Sequence, residues 1–385
     1  MILTLAISGL EVLKWIGYIL VALFCLMLMV ILHELGHYTF GKIFKFKINE
    51  FAIGFGPKLF SKTNKKTGEV FSIRMFPFGG FCAFGGEDEE SKDPHDFNNR
   101  PIWQRIIVLF AGAGFNFLSA FIVITIFFSA YGEYFPVVGE VYQHVEYVDE
   151  ENYQIIEDSQ QLLKGDVILS INGKEVYSML DATRLSELIA DSDDNLTVVV
   201  LRAGEKKTLE VQKQYYLSYT DSGETDENGD KILVEKVSKS KGLGMALSNI
   251  FSAQKLSFGK ALGQGARFGY DVLRVTGKSL KLIFNGTVSV SESVGGTATS
   301  ISILAYSVRQ GFHTIVGIFC IFSVSIGIMN VMPLPALDGA RIVFAIIEGI
   351  RRKPINRKVE GMVHFVGLIV LLALAILLDL LHFFG

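Results

Sequence analysis

From Trp15 to Leu32 the sequence carries no charged residue, and this apolar run ends directly on His33-Glu34-Leu35-Gly36-His37. A helix that crosses the hydrocarbon core of a bilayer needs roughly 18 or more such residues. Ionisable side chains at that depth are costly and are retained mainly where they function. The run therefore demands a membrane helix whose last turns face a polar, working interior rather than lipid.

The rest of the chain fits that demand. It has 385 residues, of which 50% are hydrophobic, and a mean hydropathy of +0.39, high for a water-soluble protein. Four apolar runs read as spans: Lys14 to Thr39, Trp103 to Tyr131, Gly311 to Met332 and Val363 to Phe384. The first runs on into the His-Glu pair with no small-residue cleavage site, so it reads as a retained helix and not a signal peptide. A formal net charge of only −3 gives no case for a nucleic-acid partner. The lipid bilayer is the expected one.

Lys and Arg in the short connections set the orientation. Lys42, Lys45, Lys47, Lys58, Lys62, Lys65, Lys66, Arg74, Lys92 and Arg100 lie between the first two runs. Arg351, Arg352, Lys353, Arg357 and Lys358 precede the last. Both connections are thus expected in the cytoplasm, with both termini and the long region from Gly132 to Gln310 outside. That region is acidic in places, as at Asp149-Glu150-Glu151. The three cysteines, Cys25, Cys82 and Cys320, avoid it, so no disulfide staples it.

Three parts follow: residues 1–131 and 311–385 as membrane halves, and 132–310 as an extracytoplasmic region. After the first span, Glu50 to Pro57 and Val70 to Phe76 read as two strands of an apolar hairpin, joined by the polar turn Lys62 to Gly68. Phe78-Gly79-Gly80-Phe81 and Phe84-Gly85-Gly86 read as tight loop. A hairpin this rich in Phe and Ile belongs at a membrane interface or in a cavity. Outside, a compact β-rich domain is expected at about 136–215, with a strand at Val167 to Ile171, helical periodicity from Asp181 to Ala190, and strands at Leu196 to Leu201 and Lys207 to Val211. Gly223 to Asp230 reads as a polar loop and Ser252 to Phe284 as amphipathic helix; the small-residue stretch Thr287 to Ser302 has no clear pattern. The fold class is a polytopic α-helical membrane protein of about four spans, with a membrane-associated β-hairpin and an extracytoplasmic α+β domain.

On a helix, residues four apart share a face, so His33 and His37 can point at one metal ion. Glu34, about 100° round from His33, can reach an attacking water without being a ligand. A catalytic zinc ion takes three protein ligands and keeps a fourth position open, so one ligand must come from elsewhere. His95, His144, His313, His364, His382, Asp338 and Asp379 are the candidates. Asp338 is the best placed, because it follows the third span at the predicted depth of His33; His364 stays open at that depth. Pro333 and Pro335 ahead of Asp338 stop a helix and leave backbone groups unpaired, which is tolerated at membrane depth where the chain lines a cavity. The chemistry is then metal-assisted amide hydrolysis. Glu34 serves as general base and acid, and Asn330 donates its amide to the substrate backbone or a developing oxyanion.

Together these residues resemble the site-2 protease family of intramembrane zinc metalloproteases, most of all its bacterial RseP-type branch. His33-Glu34-Leu35-Gly36-His37 resembles its His-Glu-x-x-His, Ala111-Gly112-Ala113-Gly114-Phe115-Asn116 its Ala-Gly-x-x-x-Asn, and Asn330 to Gly339 its Asn-x-x-Pro-x-Pro-x-Leu-Asp-Gly. The resemblance implies Zn2+ held by His33, His37 and Asp338, with Glu34 catalytic and Asn330 assisting. It implies that Gly112 and Asn116 pack the second helix close to the site. The segment with Gly54-Phe55-Gly56-Pro57 resembles the family's membrane-associated β-hairpin, implying that its edge holds unwound substrate as an added strand. Leu163-Lys164-Gly165-Asp166-Val167-Ile168 to Asn172-Gly173 resembles a PDZ domain. The acidic stretch His144 to Gln161 replaces the family's usual approach to it, so exclusion of bulky ectodomains is the expected role. The implied partners are single-span membrane proteins, of the anti-sigma factor or remnant signal-peptide type, in a bacterial inner membrane with the site near the cytoplasmic side. A noncatalytic scaffold would have no need of Glu34. An ion transporter would be expected to repeat its motif, and neither motif has a second copy.

Overall fold

A computed structural model describes residues 9–87, 92–147, 153–157, 161–176, 182–225, 231–238, 240–248, 252–286 and 295–384. The acidic run Asp149 to Glu151, Asp181, and residues 287–294 lie outside them. The helices are α1 (Gly9–Ile43), α2 (Ile102–Tyr131), α3 (Ala182–Ala190), α4 (Phe258–Phe284), α5 (Thr297–Gln310), α6 (Phe312–Val331), α7 (Asp338–Arg351) and α8 (Arg357–Phe384). Four of them contain stretches long and apolar enough to cross a bilayer: Glu11–Ile43, Ile102–Tyr131, Phe312–Val331 and Arg357–His382. The chain is a polytopic membrane protein.

Two compact units divide it, one of Met1–Ile126 with Leu262–Gly385 and one of Phe127–Ala261. In the first, α1 ends where Lys45 takes a left-handed φ of 59°, and Phe46 N–H turns back to the Gly41 carbonyl at 2.8 Å. That closure satisfies a terminal carbonyl and redirects the chain into a sheet. Its strands are β1 (Ile48–Thr63) and β2 (Val70–Phe84). The pairing is richer than a hairpin, because residues 50–53 are flanked on both sides. Ala52 lies opposite both Phe81 and Ser72, and Ile53 opposite both Gly80 and Ile73. Each strand therefore bends and is used twice. The bend in β1 falls at Gly54 and Gly56, both at φ 85°, where a Cβ on Gly54 would come within 2.5 Å of the Phe76 carbonyl oxygen. The expected loop Phe78 to Phe81 is thus a strand: Gly79 and Gly80 let the backbone close on β1 rather than turn away from it.

Two more expectations change. Ser252–Gln254 is a strand paired with Glu133–Phe135, and the helix starts only at Phe258. Part of the unpatterned stretch forms α5, whose first turn is held by a carboxylate from far along the chain. Asp379 accepts the Ala298 N–H at 2.9 Å, the Thr299 N–H at 3.0 Å and the Thr299 hydroxyl at 2.8 Å.

The second unit holds a four-stranded sheet in the order Glu205–Gln212, Asn195–Arg202, Val167–Ile171, Lys174–Glu175. Its core gathers Ile168, Ile171, Leu185, Leu196, Val198 and Val200, so the alternating inward residues of the strands pack against α3. Asp166, at the turn into Val167–Ile171, accepts the Leu163 N–H at 2.9 Å and both Nε and a terminal nitrogen of Arg202 at 2.7 Å. That carboxylate pins the turn. A second four-stranded sheet, in the order Lys231–Val237, Tyr215–Thr225, His144–Tyr147, Tyr153–Ile155, buries Val145, Leu217 and Val237, and its strand Tyr215–Thr225 takes up the start of the loop expected from Gly223.

Candidate metal centre

The two histidines sit one turn apart on α1 and are each 6% exposed. Asp338 reaches them from the first turn of α7. Its Oδ2 lies 3.0 Å from His33 Nε2 and 3.2 Å from His37 Nε2, and the two Nε2 atoms are 3.1 Å apart. Ligand atoms at zinc distances of roughly 2.0–2.2 Å, arranged tetrahedrally, stand about 3.3 Å from one another. Two imidazoles and a carboxylate converging at nearly this spacing fit a zinc ion. Among the described residues this is the one group of three or more such side chains that could hold a metal.

The sequence folds Asp338 into place through its prolines. Helix α6 ends before Met332, which is extended at ψ 143°, and Pro333 cannot donate a helical N–H. The chain reverses through Leu334 and Ala336, which takes a φ of 78°, before α7 begins. Pro335 packs against α8, where a Cβ on Gly367 would meet the Pro335 Cβ at 2.3 Å. The Ala336 N–H donates to His364 Nδ1 at 3.0 Å, so His364 braces the turn and does not join the cluster. Asp338 also gains from the helix N-terminus, whose free N–H groups favour an ionised carboxylate.

The other candidate ligands are placed elsewhere. His95 donates from Nδ1 to the Lys45 carbonyl at 3.0 Å, Asp379 holds α5, and His144 is buried in the second unit. His313 and His382 also fall outside the cluster.

Helix α2 forms the floor. His37 donates its Nδ1–H to the Val108 carbonyl at 2.8 Å. A Cβ on Gly112 would come within 2.4 Å of His37 Nε2 and 2.7 Å of His33 Nε2, so no larger residue fits there without moving one of these rings. Asn116, fully buried, brings its side-chain nitrogen to 3.4 Å from His33 Nδ1. Val108 was not singled out from the sequence, although its spacing of four from Gly112, and Gly112's from Asn116, marks one helical face.

Glu34 points to the sheet side. Gly80 sits so that its Cβ would lie 3.6 Å from Glu34 Cγ, and the Cys82 backbone hydrogen-bonds the Glu34 carboxylate. Residues 80–83 of β2 pair with β1 alone among the described residues, so a sheet edge runs past this carboxylate. Asn330 donates its amide to the Ile326 carbonyl of its own helix at 3.0 Å. Gly54, Phe55 and Gly56 form the bend of β1, with Phe55 stacked on Phe81 at 6.2 Å.

The profile of peptidase family M50 matches residues 21–374. A protein of Fusobacterium nucleatum, provisionally named a zinc metalloprotease, is 30% identical over 360 residues, or 92% of this chain and 94% of its own length. One from Clostridium perfringens with the same provisional name is 29% identical over 367 residues, 94% of this chain and 97% of its own. Another from Nostoc sp. is 27% identical over 368 residues, covering 94% of each. This chain belongs to peptidase family M50 and is a zinc metalloprotease.

Proposed function

We propose that this protein is an intramembrane endopeptidase that hydrolyses peptide bonds within or beside the transmembrane segments of single-span membrane proteins. Anti-sigma factors and remnant signal peptides are the substrate type. The observation that carries this reading is the convergence of His33, His37 and Asp338 at the end of an apolar helix of 33 residues.

In this reading His33, His37 and Asp338 hold the zinc ion. Zinc, when bound, lowers the pKa of water and polarises a scissile carbonyl. Glu34 takes the proton of the attacking water and returns it to the leaving amine. Asn330 has one amide hydrogen engaged by Ile326 and a second to offer the substrate carbonyl. A transmembrane helix cannot be cut while its backbone is closed on itself. The edge at residues 80–83 gives an unwound segment a strand to pair with beside Glu34, and Gly54, Phe55 and Gly56 support substrate binding by shaping the sheet behind that edge.

The charge distribution supports a bacterial inner membrane location with both termini outside and the site near the cytoplasmic face. The β-rich domain at about 136–215, outside the membrane and PDZ-like in its Gly165-Asp166 segment, acts as a size filter against bulky ectodomains.

The test is a reconstituted reaction with two single-span reporters, one with a short ectodomain and one with a bulky folded ectodomain. Mass spectrometry of the products should find a chelator-sensitive cut inside the apolar segment of the first and little cleavage of the second. Cleavage restricted to unfolded soluble protein, with both reporters intact, would sink the proposal.

A further inference from the structure

The two histidines use their second ring nitrogens against the same helix. Val108, Gly112 and Asn116 are spaced by four along α2 and face His37 and His33, themselves spaced by four on α1. At one end the Val108 carbonyl takes the Nδ1–H of His37. At the other, the atom facing His33 Nδ1 is the side-chain nitrogen of Asn116, at 3.4 Å. The carbonyl oxygen of that amide is buried with no hydrogen-bond partner.

A neutral imidazole carries one ring proton. With an NH2 group facing it, His33 Nδ1 must accept, which puts the proton on Nε2, between His37 and Asp338. That is the lone pair a metal needs. A half turn of the Asn116 amide exchanges its two nearly isosteric ends. The oxygen then accepts the Nδ1–H of His33, and Nε2 faces the cluster unprotonated. The backbone of Asn116 is held for the task, because its carbonyl accepts the hydroxyls of Ser119 and Ser323, both at 3.0 Å.

We infer that Asn116 is a positioning residue whose side-chain oxygen fixes His33 as the Nδ1–H tautomer, completing on α2 the pair of acceptors that Val108 begins. The inference rests on the proposed ligand set. It assigns Asn116 an electronic role beyond close packing, in the manner of the outer acceptors that orient metal-bound histidines.

The test uses the full-length enzyme in detergent and reads zinc affinity by competition with a chelator, so no substrate is needed. Asn116→Leu keeps the branched shape and removes the acceptor, whereas Asn116→Asp keeps both shape and acceptor. A positioning role predicts that Asn116→Leu weakens zinc binding by about 10- to 100-fold, while Asn116→Asp binds at least as tightly as wild type. Asn116→Ala, which removes the acceptor without adding bulk, must weaken binding as well; wild-type affinity there would assign the Asn116→Leu loss to packing and overturn the inference. The inference is overturned if Asn116→Leu stays within about twofold of wild type, or if Asn116→Asp loses as much zinc as Asn116→Leu. Circular dichroism on each variant excludes loss of fold as the cause. His33→Ala, measured beside them, separates the two claims: zinc retained there removes the ligand set itself, and zinc lost there but not in Asn116→Leu removes only the inference.

Discussion

His37 gives its Nδ1–H to the Val108 carbonyl oxygen across 2.8 Å, and this bond directs its other nitrogen at His33 and Asp338. Because the acceptor is backbone, it survives any side chain at position 108 that packs. The second membrane helix therefore orients the histidines of the first, and under the proposed ligand set the distance between the two helices governs metal binding.

That distance is set by glycines, which gives a prediction with an internal control. A Cβ at position 36 would come within 2.2 Å of the Ala111 carbonyl oxygen, and one at 112 would strike both histidine rings, whereas one at Gly114 meets nothing within 4 Å. Gly36→Ala and Gly112→Ala should each lose bound zinc and destabilise the fold by about 1–3 kcal/mol. Gly114→Ala should leave both unchanged. Metal analysis and thermal melts of the three variants check this.

Asp379 provides the converse case, a carboxylate that was a plausible ligand and serves α5 instead. Asp379→Ala leaves two N–H groups of the first turn without their acceptor, and should cost about 1 kcal/mol. Zinc content should not change. A fall in zinc content would return Asp379 to the ligand set.

Ion pairing ties α7, which carries Asp338, to its neighbours. Glu348 accepts from Arg105 at 2.5 Å, from Arg357 at 2.7 Å and from the Ile355 N–H at 2.9 Å, while Arg341 pairs with Glu87. Burial pushes the Glu348 carboxyl up, but the Ile355 N–H, Arg105 and Arg357 outweigh it and hold it below the usual carboxylate range. A carboxyl depressed in the folded state stabilises fully above its unfolded pKa of roughly 4.3, and this is lost as pH falls through the folded value. The melting temperature should therefore drop on acidification below about pH 4. The drop should be smaller in Glu348→Gln, which starts less stable at neutral pH. Parallel pH dependences for the two proteins would contradict this.

The candidate site is legible in sequence wherever its residues are neighbours along the chain. His33, Glu34 and His37 share one turn of helix, and the two prolines before Asp338 announce a broken backbone. What stayed hidden depends on packing between distant segments. Gly79 and Gly80 look like loop because glycine marks turns; here they let β2 close on β1. The start of α5 has few strong helix formers, and its support, Asp379, lies 80 residues from Thr299. Asn116 is expected near the site only through the family resemblance of Ala111 to Asn116, because it stands 83 residues from His33 and its contact with the ring has no trace in local pattern. The strands at Tyr215–Thr225 and Lys231–Val237 bury Leu217 and Val237 against Val145, far earlier in the chain, and that pairing leaves no local signal.

The most direct measurement of the central claim joins two readouts on Glu34→Gln: zinc content, and cleavage of a short-ectodomain single-span reporter. A general base that is not a ligand predicts zinc at the wild-type level with cleavage reduced by about 10²- to 10⁴-fold, whereas Asp338→Ala should lose both. Cleavage by Glu34→Gln at the wild-type rate would contradict the account.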